Sequence, residues 1–90
     1  MKRYIVDFRK VNNKLSAHQE LKSALELPYY YGENLDALND CISEFAHEYK
    51  IYILKNENRF DYINDILKVF DDNNVNYEVI IEKEHYEEDI

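Results

Sequence analysis

The 90-residue chain has no tryptophan and one residue each of cysteine, proline and glycine. A lone Cys41 excludes an internal disulfide and any CxxC motif. With no apolar leader after Met1, the expectation is a reduced, cytoplasmic protein. A single glycine excludes a glycine-rich phosphate loop. No apolar run approaches the ~20 residues needed to cross a bilayer, so no membrane partner is expected. Positive charge is locally absent as well. From Ser23 to Tyr49 there is no Lys or Arg, whereas Glu26, Glu33, Asp36, Asp40, Glu44 and Glu48 are acidic. The formal net charge of −8 sets nucleic acid aside as a direct partner, because phosphates would be repelled.

What is present suffices for one small domain. The 46% apolar content, with nine Tyr and four Phe, can build a core. Tyr4, Val6 and Phe8 alternate with Ile5, Asp7 and Arg9 as a first strand. Ser16 followed by Gln19 reads as a capping box for a first helix, with Leu21, Ala24 and Leu25 on its apolar face and Pro28 as its stop. Tyr29 to Glu33 reads as a loop in which Gly32 is free to take a positive φ. Asn34 is placed to cap a second helix, with Asp36 in its first turn and Leu35, Leu38, Ile42 and Phe45 on one buried stripe. "YKIYIL", residues 49–54, and "YEVII", residues 77–81, read as strands covered by helices. Between them Phe60, Ile63, Leu67 and Phe70 mark a third helix, closed by Asn73 and Asn74. Strands separated by helices predict an α/β fold, a three-stranded parallel sheet with about three main helices. The domain is expected over residues 1–83, followed by an acidic, frayed tail over 84–90.

On the second helix Asp36, Asn39, Asp40 and Ser43 recur at i, i+3, i+4 and i+7 and share a stripe away from the apolar one. Beside it stand tyrosines of large amphipathic area. Such a patch suits a basic cleft. Taken alone it is equally a solvated surface beside a tyrosine loop packed on the core. The three histidines, His18, His47 and His85, are scattered, and no carboxylate pair has spacing diagnostic of metal or acid–base work, so no catalytic residue, cofactor or metal is assigned. Cys41, at the edge of the stripe, reads as a partly buried inert thiol.

The stretch "YYGENLDALNDC" closely resembles the signature of the barstar family, intracellular inhibitors of barnase-type ribonucleases, and the element order agrees over most of the chain. The resemblance implies a loop and second helix that plug the nuclease active site; a monomer, or a 1:1 complex, is the default expectation because the exposed patch is reserved for a partner. Carried over by motif, Tyr30 would stack on the catalytic groups, and Asp40 would stand in for an RNA phosphate among the enzyme's cations. Asp36 would pair with a cation on the rim. Asn34 and Leu35, around Gly32, would make contacts at the helix start, and Asp72 would match an acidic peripheral contact. Two departures lie on the contact face: Asn39 replaces a tryptophan of the reference inhibitor, and Glu44 replaces a glycine. Two rivals keep different chemistry. An acidic module for a basic partner other than a ribonuclease would bind through the same face without affecting RNA cleavage. A hydrolase would need His18, His47 and an acid to converge.

Overall fold

Three parallel strands and three helices make up a computed structural model that describes residues 1–45, 48–57 and 60–82. His47, His85 and the tail over 84–90 lie outside the described residues. The elements are β1 (Lys2–Asp7), α1 (Lys14–Ala24), α2 (Leu35–Ser43), β2 (Tyr49–Asn56), α3 (Tyr62–Asp72) and β3 (Tyr77–Glu82). The sheet order is β1-β2-β3, with both pairings parallel, as the strand–helix alternation predicts. Register places Val6 opposite Ile53 and Ile53 opposite Val79, so one face of the sheet carries Val6, Ile51 and Ile53 into the core. There they meet Ala17, Leu21 and Leu25 of the α1 region, Leu38 and Ile42 of α2, and Ile63, Ile66 and Phe70 of α3.

The strands are not covered on both sides. Ile5 and Ile80, which point away from the core, are 61% and 42% exposed. Among the described residues the three helices pack into one cluster, which gives two layers and leaves Ile5 and Ile80 on the outer face exposed. That face ends in an ion network. Asp7 accepts from Arg9 Nε at 2.9 Å and from its Nη2 at 2.8 Å, and Arg9 Nη1 reaches Glu82 at 2.8 Å. The Arg9 hydrogen bond draws the Asp7 carboxyl down to about 2.

Local signals held where a side chain could supply a backbone partner and moved where two candidates competed. Asn13, not Ser16, caps α1: in extended backbone, its Oδ1 accepts the Ser16 N–H at 2.8 Å, which starts the helix at Lys14. Pro28 does not stop α1. The stop is a left-handed turn at Glu26 (φ 58°) that lets Leu27 N–H reach Lys22 O at 3.0 Å, in the Schellman pattern. Gly32 does not take the positive φ of the loop; Glu33 does, at 58°. Gly32 instead permits close approach, since a Cβ there would lie 3.2 Å from the Cβ of Ala37. Phe45 and Phe60 fall outside their helices, and α3 buries Ile66 more completely than Leu67. Asn74 takes the left-handed turn after α3 (φ 56°), as expected of an asparagine there.

Candidate functional site

The loop from Pro28 to Glu33 is hydrogen-bonded to the N-terminus of α2. Asn34 Oδ1 accepts Ala37 N–H at 2.8 Å, and its Nδ2 donates back to Gly32 O at 3.3 Å, so one side chain ties loop to helix. Replacing Asn34 by alanine removes both bonds. The expected loss is about 1 kcal/mol of folding stability, read from the urea midpoint, and an unchanged midpoint would refute the cap.

The three consecutive tyrosines divide. Tyr29 and Tyr30 are 88% and 73% exposed and meet edge-to-face at 5.5 Å. Tyr31 turns inward and is buried. Its hydroxyl lies 2.6 Å from Nδ1 of His18, whose Nε2 lies 2.7 Å from the Tyr62 hydroxyl. The histidine is only 1% exposed, and burial pushes its pKa below the ordinary value, partly opposed by Glu33. It bridges α1, the loop and the start of α3. Sequence reading missed this role, although the signal was present: His18, Leu21 and Leu25 are spaced i, i+3, i+7 and form one inward stripe. The inward turn of Tyr31 has no comparable sign, because three identical side chains carry no periodicity.

On α2, Asp36, Asn39, Asp40 and Ser43 are all exposed, and Leu35 is half-buried. The Ser43 hydroxyl donates to Asp40 O at 2.8 Å. Asp40 and Tyr30 flank a cleft of about 320 Å³ floored by Leu27 and Pro28, with Glu26 and Glu44 also on its walls. Lys2 and Lys22 already have partners. Lys2 pairs with Glu26 at 3.0 Å, and Lys22 donates to Tyr29 O at 3.2 Å. Among the described residues, Asp36, Asp40 and Glu44 form no ion pair. Cys41 is half-buried, and burial pushes its thiol up, away from the reactive thiolate.

Asp72 lies apart, on the last turn of α3, in an exposed i,i+4 pair with Lys68 at 3.5 Å. The link between α2 and this region is Asn73, whose Nδ2 donates to Asn39 Oδ1 at 2.8 Å. Tyr30, Asn34, Leu35, Asp36, Asn39, Asp40 and Ser43 therefore belong to the loop–α2 unit, and Asp72 to its flank. Among the described residues, no three His, Cys, Asp or Glu side chains are grouped to hold a metal ion, and no helix is long and apolar enough to cross a membrane.

The site is thus an exposed acidic helix, without an ion pair among the described residues and edged by exposed tyrosines, on a two-layer α/β domain. Comparison with known proteins narrows the class. A family model described as Barstar (barnase inhibitor) matches residues 1–87. The chain is 39% identical over 74 residues to "Putative ribonuclease inhibitor YrdF" of Bacillus subtilis (strain 168), an overlap of 77% of this chain and 81% of that protein. The chain belongs to the Barstar family.

Proposed function

We propose that this protein is a non-enzymatic inhibitor that binds a small, basic, barnase-like ribonuclease one to one and occludes its active site with the loop and α2. Family membership supports the class of partner. The observation that carries the mechanism is the set of carboxylates on α2 that form no ion pair among the described residues, held beside Tyr30 by a capped, buried framework. A nuclease that binds RNA phosphates must keep a cationic pocket, and a carboxylate on a rigid helix fills such a pocket at little ordering cost. Asp40 stands in for the phosphate, Asp36 meets a cation at the rim, and Tyr30 stacks over the catalytic groups. Gly32, Asn34 and Leu35 set the entry of the helix, while Asp72 makes a peripheral contact. No cofactor takes part. The protein acts in the cytoplasm, where it protects the cell that makes the nuclease.

The test is RNA cleavage by a panel of barnase-like ribonucleases with increasing amounts of the protein. Stoichiometric inhibition of at least one enzyme is expected, with an association rate that falls as salt rises. Binding to a basic protein without any loss of cleavage would instead establish an acidic module for a different partner.

A further inference from the structure

The side chain of Asn73 has a fixed orientation, and that orientation determines what the neighbouring recognition face offers. Its Nδ2 donates one hydrogen to Val69 O at 2.9 Å and the other to Asn39 Oδ1 at 2.8 Å. A backbone carbonyl can only accept, so the nitrogen of Asn73 must face Val69. Both its hydrogens are then used. The chain of bonds runs from Val69 through Asn73 to Asn39 and fixes both amides. What remains unused is Nδ2 of Asn39, a donor on the exposed face of α2, and Oδ1 of Asn73, an acceptor beside it; neither has a partner among the described residues.

Asn39 stands on the stripe of Asp36 and Asp40, and Asn73 directly follows Asp72, which pairs with Lys68. Asn73 also lines a cleft of about 350 Å³ with Ser43, Tyr49, Asn74 and Asn76, where Ile42 and Phe45 are the apolar walls. The described lining carries amides and the hydroxyls of Ser43 and Tyr49 but no ionised group. A neutral donor beside a neutral acceptor has no charge to attract an ion. It matches a group that presents an acceptor beside a donor, and a main-chain peptide edge is such a group.

We infer that Asn39 and Asn73 act as a two-amide clamp on an extended main-chain segment of the nuclease, next to the cationic pocket filled by Asp40, and that Asn73 is a specificity-determining residue. The inference rests on the ribonuclease-inhibitor reading and deepens it. Such a clamp favours a partner whose active-site rim exposes free backbone and rejects one whose rim there is apolar or anionic.

The experiment is a double-mutant cycle on Asn39→Ala and Asn73→Ala, with inhibition constants measured against a nuclease that the wild-type protein inhibits. Asn39→Ala leaves the Asn73 bond to Val69 intact, and thermal denaturation of each variant confirms that it is folded. Each single variant is expected to inhibit roughly three- to tenfold more weakly. The double variant should match Asn73→Ala, because that change removes the acceptor and also releases the Asn39 amide, so the combined loss is smaller than the product of the two. The coupling should survive alanine substitution of the nuclease's neutral polar side chains at its rim, since the contact is to main chain. Unchanged inhibition by either folded single variant overturns the clamp, as does a double variant whose loss is the product of the two. Loss of coupling with the truncated nuclease overturns the main-chain assignment. If Asp40→Ala weakens inhibition while both asparagine variants match wild type, the clamp fails and the inhibitor reading stands. If wild-type protein inhibits no nuclease, both fail.

Discussion

Asp40→Ala is expected to weaken inhibition of the target ribonuclease at least about 30-fold, or ~2 kcal/mol, the floor for an interface hot spot on a scale drawn partly from this family's own complexes. The free protein gives Asp40 no cation among the described residues, so its carboxylate enters the complex without breaking an internal ion pair. In the complex it loses water and gains the enzyme's phosphate-binding cations. Truncation then leaves those cations buried without a counter-charge, which makes the penalty large. The effect should fall mainly on dissociation, because the remaining acids still steer the encounter. Stopped-flow association and competition-measured dissociation separate the two rates. A loss confined to association would show that Asp40 contributes only to the general field.

The second large effect concerns His18. Its alanine variant is expected to lose about 2–4 kcal/mol of folding stability. The change opens a cavity in a closed region and leaves the Tyr31 hydroxyl buried without its partner. The same group predicts the response to pH. In the fold, both imidazole nitrogens lie within hydrogen-bond reach of a tyrosine hydroxyl, and burial favours the neutral ring. Burial lowers the folded pKa below the ordinary 6.5. As pH falls below about 6.5 the unfolded chain takes up a proton that the folded chain resists. This contribution is complete above that pH and is lost as pH falls toward the lowered folded value. Asp7, held down to about 2 by Arg9, has the same sign but acts in a lower window, its contribution being lost only as pH approaches 2. Urea midpoints between pH 7.5 and 5 should therefore fall in the native protein and stay flatter in His18→Gln, which does not titrate. An equal slope in both would remove His18 as the cause. Because His18 holds Tyr31, and Tyr31 anchors the loop that carries Tyr30, acid should also weaken inhibition before global unfolding begins.

Much of the fold was legible in the sequence because the signals were local. Alternation at Tyr4, Val6 and Phe8 marked β1, and the Asn34 cap opened α2 where expected. Asn74 closed α3 in the left-handed conformation that its short amide tolerates. Where two neighbours could do the same task, position alone could not choose between them. Asn13 displaced Ser16 as a cap, Glu26 displaced Pro28 as a stop, and Glu33 displaced Gly32 as the left-handed residue. Asn13 won through its side-chain bond to the Ser16 N–H, and Glu26 through the turn that closes the Leu27 N–H bond to Lys22 O.

The acidic helix was likewise written in the chain. Periodicity puts Asp36, Asn39, Asp40 and Ser43 on one stripe, and the basic-free stretch from Ser23 to Tyr49 denies it close sequence neighbours of opposite charge. Tertiary structure decided what surrounds that stripe. It turned Tyr31 inward onto a histidine 13 residues away, joined Tyr62 to the same ring from 44 residues away, and brought Asn73 against Asn39 across 34 residues. A helix sets the direction of its own side chains through backbone geometry alone. Contacts between distant residues exist only once the packing of the apolar core has fixed where each element lies.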